Sequence, residues 1–229
     1  MTFRSALETA GRAVRANILP GLLLQALMAV FLSLYVMHEG TRQFLADVAN
    51  LKQESGYLFA FVCYVLSAAL LPELLRIGFF QHGRVTRWNL WNFLTAAPAW
   101  GLIGILVDFF YRCQAVWFGT GNDWQTILLK MLVDQFLYSP FLGTPLTIAY
   151  FAWRDGNFRF PALRAAIRPK VLAERVFLVQ VAGWCIWIPG VCVVYFMPSE
   201  LQIPVAVLIQ AFWVLVFTLV NKNRTPREP

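Results

Sequence analysis

Charge is what this sequence is short of. Only 14% of its 229 residues are Asp, Glu, Lys or Arg, against 59% hydrophobic, and the mean hydropathy is +0.60. Soluble domains carry about 25% charged residues. A water-facing surface cannot be covered from so small a stock, so the expected solvent is lipid. Histidine is scarcer still: His38 and His82 stand far apart at segment ends, which leaves too few ligands in any one place for a metal site. The four cysteines (Cys63, Cys113, Cys185, Cys192) include no C-x-x-C pair and all fall in apolar runs. They read as small hydrophobes, and no cofactor is expected. The net charge of +7 would suit nucleic acid, but the basic residues are distributed differently, as follows.

Apolar runs are what the chain has in abundance. A bilayer-spanning helix needs about 20 mostly apolar residues. Six stretches qualify: Ile18–Met37, Tyr57–Phe80, Trp91–Phe118, Ile127–Phe151, Val176–Met197 and Leu201–Val220. None of the connections is long enough for a soluble domain. The expectation is an all-α, polytopic membrane bundle of six helices over residues 18–221, preceded by an amphipathic segment (1–17) and followed by a basic tail (222–229). With both termini inside, 15 of the 19 basic residues fall on the inner side, including Arg4, Arg12 and Arg15, six from Arg154 to Arg175, and Lys222, Arg224 and Arg227. Only Arg42, Lys52, Arg112 and Lys130 remain outside. That is the positive-inside pattern, and six spans satisfy it better than five. Trp88, Trp91 and Trp153 fall at inner boundaries and Trp117 and Trp124 at outer ones, whereas Trp184, Trp187 and Trp213 lie deeper, as if packed between helices.

The opening run MTFRSALETAGRAVR places Phe3, Leu7 and Val14 on one face, as an interfacial helix would, with an organelle-targeting segment as the alternative. A cleavable signal peptide does not fit, because the first apolar run is too long and no clear small-x-small site follows. The stretch PALRAAIRPK is likewise basic and amphipathic, and points to anionic headgroups at the inner face. The expected partners are therefore the bilayer, small solutes and a further copy of the chain, with no nucleic acid. The expected location is the cytoplasmic membrane of a bacterium, or otherwise a mitochondrial inner or peroxisomal membrane.

The few charges inside the spans are the candidate site. Glu73–Arg76, Asp108–Arg112 and Lys130–Asp134 stand at helical-neighbour spacing. The first pair lies near an inner boundary, where its ends can snorkel to water. The other two reach similar depths in the outer half of the third and fourth spans, so Asp108, Arg112, Lys130 and Asp134 are expected to form one cluster. Gly101, Gly104, Asp108 and Arg112 repeat at 3, 4 and 4, which puts them on one stripe where small residues allow close approach. Lys130, Asp134 and Tyr138 share a stripe on the fourth span with Gln135 beside them. Ionised groups this deep cost several kcal/mol and should face protein or water. Pro140, Gly143 and Pro145 interrupt the fourth span and Pro189-Gly190 the fifth. These helix kinks free carbonyls that need other donors.

The segment KMLVDQFLYSP (Lys130–Pro140) resembles the K-x-x-x-D-Q segment of the Mpv-seventeen/peroxisomal-membrane-protein family. Gly104, Asp108, Phe110 and Tyr111 resemble its G-P-x-x-H-x-W-Y segment, with Ile105 and Asp108 in place of the proline and histidine. Trp184, Trp187, Pro198 and Trp213 resemble its closing W-x-x-W-P … V-P … W region, with Pro189 one place late and Gln202 where an arginine is usual. The likeness covers about residues 57–221, leaving the first span as an addition. The family's early G-x-G-D-x-x-x-Q element has no counterpart around Pro72-Glu73. The resemblance implies a small integral membrane protein of a family usually described with four spans. Some of its members are described as channels for small solutes, and none has an established catalytic activity or cofactor.

The leading expectation is a passive channel whose outer vestibule is lined by Asp108, Arg112, Lys130, Asp134, Gln135 and Tyr138, and not an enzyme. Two rivals stand beside it. One is a scaffold in which the same charges only lock helices together. The other is an intramembrane enzyme pairing Asp108 with Asp134. The second lacks the Tyr-Asp and Gly-x-Gly-Asp settings of intramembrane aspartyl proteases.

Overall fold

The computed structural model describes the backbone of residues 3–221 and most side chains between positions 18 and 214. The described chain is helical almost throughout: α1 (Phe3–Met37), α2 (Glu39–Ser55), α3 (Tyr57–Phe79), α4 (Arg87–Phe118), α5 (124–155), α6 (Phe160–Ala166), α7 (Pro169–Phe196) and α8 (Ser199–Asn221). Among the described residues, four helices are long and apolar enough to cross a membrane: Ile18–Met37 within α1, then α3, α4 and α7. Away from the helix ends and Arg112, the large side chains they leave exposed are mostly apolar, among them Leu22, Leu58, Leu94, Leu102, Phe109 and Val179. A surface of that kind suits hydrocarbon and not water.

Several expectations change here. Residues 39–55, expected as a loop, form α2. His38 caps it, its ring nitrogen accepting from the Thr41 backbone N–H at 3.1 Å, and Leu45 and Lys52, two turns apart, bury one face. The third run starts earlier than its apolar stretch, at Arg87, because Thr86 and Asn89 form a reciprocal capping box. The fifth starts at Pro169, whose missing N–H costs nothing in a first turn. Residues 154–175 are mostly helical, with a break at 167–168 that splits PALRAAIRPK between α6 and α7. The amphipathic faces expected in 1–17 and the tail 222–229 lie outside the described side chains.

α8 occupies the middle of the bundle and packs against α1, α2, α3, α4 and α7, while α1 lies along α7. The core where these meet is built from Leu24, Ile186, Val194, Ile203 and Ile209. In a bilayer such contacts are held by close packing, since lipid tails are as apolar as leucine. The approach of α3 to α4 depends on the two glycines of the expected stripe. A Cβ on Gly104 would stand 2.6 Å from the Ala60 carbonyl oxygen, and one on Gly101 would enter the Phe61 ring.

Two helices carry wide turns. Residues Val65–Leu70 of α3 and Asp134–Gly143 of α5 are π-helical, a geometry that tends to occur at functional sites. Pro140 lies inside the second. In π register its nitrogen would face the Gln135 carbonyl, and having no hydrogen it leaves that oxygen free. The Trp184 indole of α7 donates to it instead, at 3.4 Å. Pro145 sits in the first turn after the wide segment. Pro189 lies within an unbroken α7, and the Cys185 carbonyl one turn before it accepts from the Gln25 amide of α1 at 3.5 Å. Both freed carbonyls thus find donors on a neighbouring helix, as a membrane interior demands.

Candidate functional site

Two cavities and three polar groupings make up the site. At one end, a hollow of about 270 Å³ is lined by Lys52, Gln53, Asp108, Tyr111, Arg112, Ala115, Ser199, Glu200 and Gln202. We call this the vestibule end. Asp108 is fully buried and holds two cations: Lys52 of α2 at 3.1 Å from Oδ1 and Arg112 at 3.1 Å from Oδ2. Lys52 is itself buried, whereas the Arg112 side chain is half exposed and lies 4.5 Å over the Tyr57 ring. The expected Asp108–Arg112 pair therefore forms, and Lys52, which sequence spacing did not connect to it, completes it.

Deeper in the bundle a second cavity, of about 460 Å³, opens between α3, α4, α5, α7 and α8. Asp134 sits in its wall, nearly buried. The Gln135 amide donates to Asp134 Oδ1 at 2.9 Å and the Tyr195 hydroxyl donates to Oδ2 at 2.5 Å. Gln114, wholly buried on α4, donates to that same hydroxyl at 2.6 Å. The chain Gln114–Tyr195–Asp134–Gln135 therefore ties α4, α7 and α5 together. Tyr138 lines the cavity one turn below, its ring stacked on Phe110 of α4 with centroids 4.0 Å apart.

The expected Lys130–Asp134 pair does not form, nor does the single four-charge cluster. Tyr195 stands between the two side chains. Its hydroxyl takes the carboxylate, while the Lys130 ammonium lies 5.8 Å from the centre of its ring, a cation–π arrangement. Lys130 is 1% exposed and makes no ion pair among the described residues. Asp108 and Asp134 are held by separate partner sets, one by cations and the other by neutral donors. The stripe on α4 also turns. Gly101, Gly104, Asp108 and Tyr111 are buried while Arg112 is not, so the inward spacing is 3, 4 and 3.

At the opposite end the Glu73–Arg76 pair is replaced by a network. Glu73 is buried and accepts from the side-chain amides of Asn89, at 2.9 Å, and of Asn92. Arg154 donates to the Asn92 side-chain oxygen at 3.0 Å. With both carboxylate oxygens occupied, Arg76 turns away and lies 4.5 Å over the Trp88 ring. This network and Asp108 are separated by about 28 Å along α4, at helical rise. The expected deep tryptophans do pack inside: Trp187 and Trp213 line the central cavity, and Trp184 serves the Gln135 carbonyl.

Sequence reasoning missed Lys52, Tyr111, Gln114, Gln180 and Tyr195. Tyr111 and Gln114 continue the Gly104–Asp108 stripe at i+3 steps and were readable on α4. Lys52 and Tyr195 come from elements distant in sequence and carried no local signal. Among the described residues no group of three or more His, Cys, Asp or Glu could hold a metal ion, and the four cysteines are free.

The class defined by this architecture is a helical bundle with four helices apolar and long enough to cross a membrane and with polar groups buried inside an apolar core. Compared with protein-family models, with curated proteins and with solved structures, the chain finds no match.

Proposed function

We propose that this protein is a passive route for small hydrophilic solutes across a membrane. The observation that carries the reading is that the vestibule and the central cavity share one residue, Tyr111, which lines both. In this reading two hollows that each carry polar groups and meet at one aromatic side chain are the two halves of an interrupted path, with Tyr111 as its partition. Asp108, Lys52 and Arg112 set charge preference at the mouth. Asp134, Gln135 and Tyr138 line the middle, and the Glu73–Asn92–Arg154 network closes the far end. Six spans with both termini inside complete the proposed topology, with α5 and α8 as the spans added to the four apolar helices. The likeness to the Mpv-seventeen/peroxisomal-membrane-protein family supports a channel role and an inner mitochondrial, peroxisomal or bacterial cytoplasmic membrane.

Liposome flux tests the reading. Purified full-length protein should speed glycerol and erythritol entry over protein-free vesicles. Tyr111→Ala should raise the rate several-fold, and Asp108→Asn should alter ion preference in planar bilayers. Permeation equal to empty vesicles for the wild type and for Tyr111→Ala would end the proposal. A second reading has an observation of its own: Glu73 has both oxygens occupied by donors from the neighbouring α4, and Asp134 has one oxygen occupied by Tyr195 of α7 and the other by Gln135 of its own helix. That is what a protein whose charges only lock helices together would need.

A further inference from the structure

The central cavity holds a combination that a water path does not require. Asp134 presents a carboxylate whose two oxygens both act as acceptors, from Gln135 and Tyr195, and among the described residues no cation lies within ion-pairing distance of it. Each carboxylate oxygen keeps further lone-pair capacity. The cation one turn away on the same helix, Lys130, is engaged with the Tyr195 ring and is not among the residues lining the cavity. Around the carboxylate the same cavity is walled by aromatic rings: Tyr64, Tyr111, Tyr138, Trp187 and Trp213. An unpaired anion among aromatic rings is the environment that recognises substituted ammonium groups, through charge and through the ring faces together.

A second, independent feature points to a ligand. Gln180, more than nine-tenths buried, also lines this cavity. Its side-chain oxygen accepts from Ser139 and Thr144 at 3.4 Å each, while its amide nitrogen has no partner. The Tyr138 hydroxyl, in the same wall, is also unpartnered. Buried donors of this kind are costly to leave unmade. They would be satisfied by a ligand that carries an oxygen acceptor besides its positive charge. The cavity volume, about 460 Å³, falls in the range of small-molecule sites.

We propose that the central cavity is a binding site for a small hydroxylated ammonium, with its cation at Asp134 among the aromatic rings and its oxygen at Gln180. The chemistry is shared by free amino alcohols and by the headgroups of choline and ethanolamine lipids. This assignment deepens the solute-path reading and rests on it only for how the ligand reaches the site.

Calorimetric titration of the full-length protein in phosphatidylglycerol nanodiscs tests it, with choline, tetramethylammonium and the neutral isostere 3,3-dimethylbutan-1-ol as probes. Choline should bind at least about tenfold more tightly than the neutral alcohol, since a tenfold ratio corresponds to only about 1.4 kcal/mol. It should also bind several-fold more tightly than tetramethylammonium, which lacks the oxygen. Asp134→Asn should abolish the preference for charge. Gln180→Leu, which removes an amide nitrogen that has no internal partner, should erase only the preference for choline over tetramethylammonium. That variant keeps the test decisive if the aspartate variant fails to fold. In phosphatidylcholine discs, suppression of the choline signal assigns the site to lipid headgroups, and an unchanged signal assigns it to free solute; either supports the site. Equal binding of choline and the neutral alcohol, or binding of neither in phosphatidylglycerol discs, overturns it. Glycerol flux without choline binding would leave the path standing and remove the site, and choline binding without flux would do the reverse.

Discussion

Replacing Tyr195 with phenylalanine removes one oxygen and tests the whole central arrangement. That hydroxyl accepts from Gln114 at 2.6 Å and donates to Asp134 at 2.5 Å. Gln114 is fully buried, and its side-chain oxygen already lacks a partner, so losing the hydroxyl leaves its amide with no hydrogen bond at all. An orphaned buried donor costs about 1–3 kcal/mol, and a bond to a charged acceptor contributes about 1.5–3 kcal/mol. Asp134 keeps Gln135 and faces a cavity that can admit water, so its share belongs at the low end. The expected loss is about 2–4 kcal/mol, which at this chain length corresponds to roughly 5–15 °C in unfolding temperature in detergent. Lys130 retains the aromatic ring beneath it, so the cation–π contact does not contribute to the difference. Tyr57→Phe is the control: its ring also carries a cation but is exposed, and the change should stay within about 0.5 kcal/mol. In a double-mutant cycle, Gln114→Leu should rescue part of the Tyr195→Phe loss, because it removes the orphaned amide. A loss below about 0.5 kcal/mol, or strict additivity with Gln114→Leu, would refute the linked chain.

Other perturbations separate the remaining parts. Lys52→Met leaves the buried Asp108 with only its half-exposed arginine and should cost about 3–5 kcal/mol, whereas Arg112→Met should cost much less; equal effects in detergent unfolding would contradict the assignment of Lys52 as the principal partner. Gly104→Ala drives a Cβ against the Ala60 carbonyl and should destabilise by about 1–3 kcal/mol. Gly78→Ala, on open surface, should stabilise by about 0.5–1 kcal/mol, and a reversed order would deny that α3 and α4 touch at Gly104. Asp123 caps α5 through the Thr126 and Gln125 backbone N–H groups, and bonds from Thr126 above all hold its carboxyl below the usual carboxylate range. A lowered native value stabilises above the unfolded value and fades as pH falls through the native one. Asp123→Ala should therefore lower the unfolding temperature near neutral pH, with the difference from wild type closing in strong acid; a gap that persists there would remove the cap from the account.

Local pattern made the helical class legible, because apolar runs and the deficit of charge leave few other solutions in lipid. It also exposed the close approach at Gly101 and Gly104, the Asp108–Arg112 pair and the interior setting of Asp134 and Gln135, all of which follow from spacing within one helix. It failed on α2, where a polar composition hid an amphipathic helix with a single buried stripe. The failure at Lys130 and Asp134 has a different origin. Their i,i+4 spacing permits a pair, but a tyrosine 61 residues beyond Asp134 offers the anion a hydroxyl and the cation a ring. Pairing rules within one helix cannot anticipate a competitor from another.

What the sequence determined by itself was the solvent and the periodicity: which stretches can lie in hydrocarbon, and which faces of them cannot. Only the tertiary structure decided who satisfies whom. Lys52 reaches Asp108, Tyr195 parts Lys130 from Asp134, and Tyr111 lines two cavities, because α2, α7 and α8 converge on positions that no local spacing brings together. Burial makes each unmatched polar atom expensive, so the partners supplied by these distant elements, and not the charges themselves, define the site.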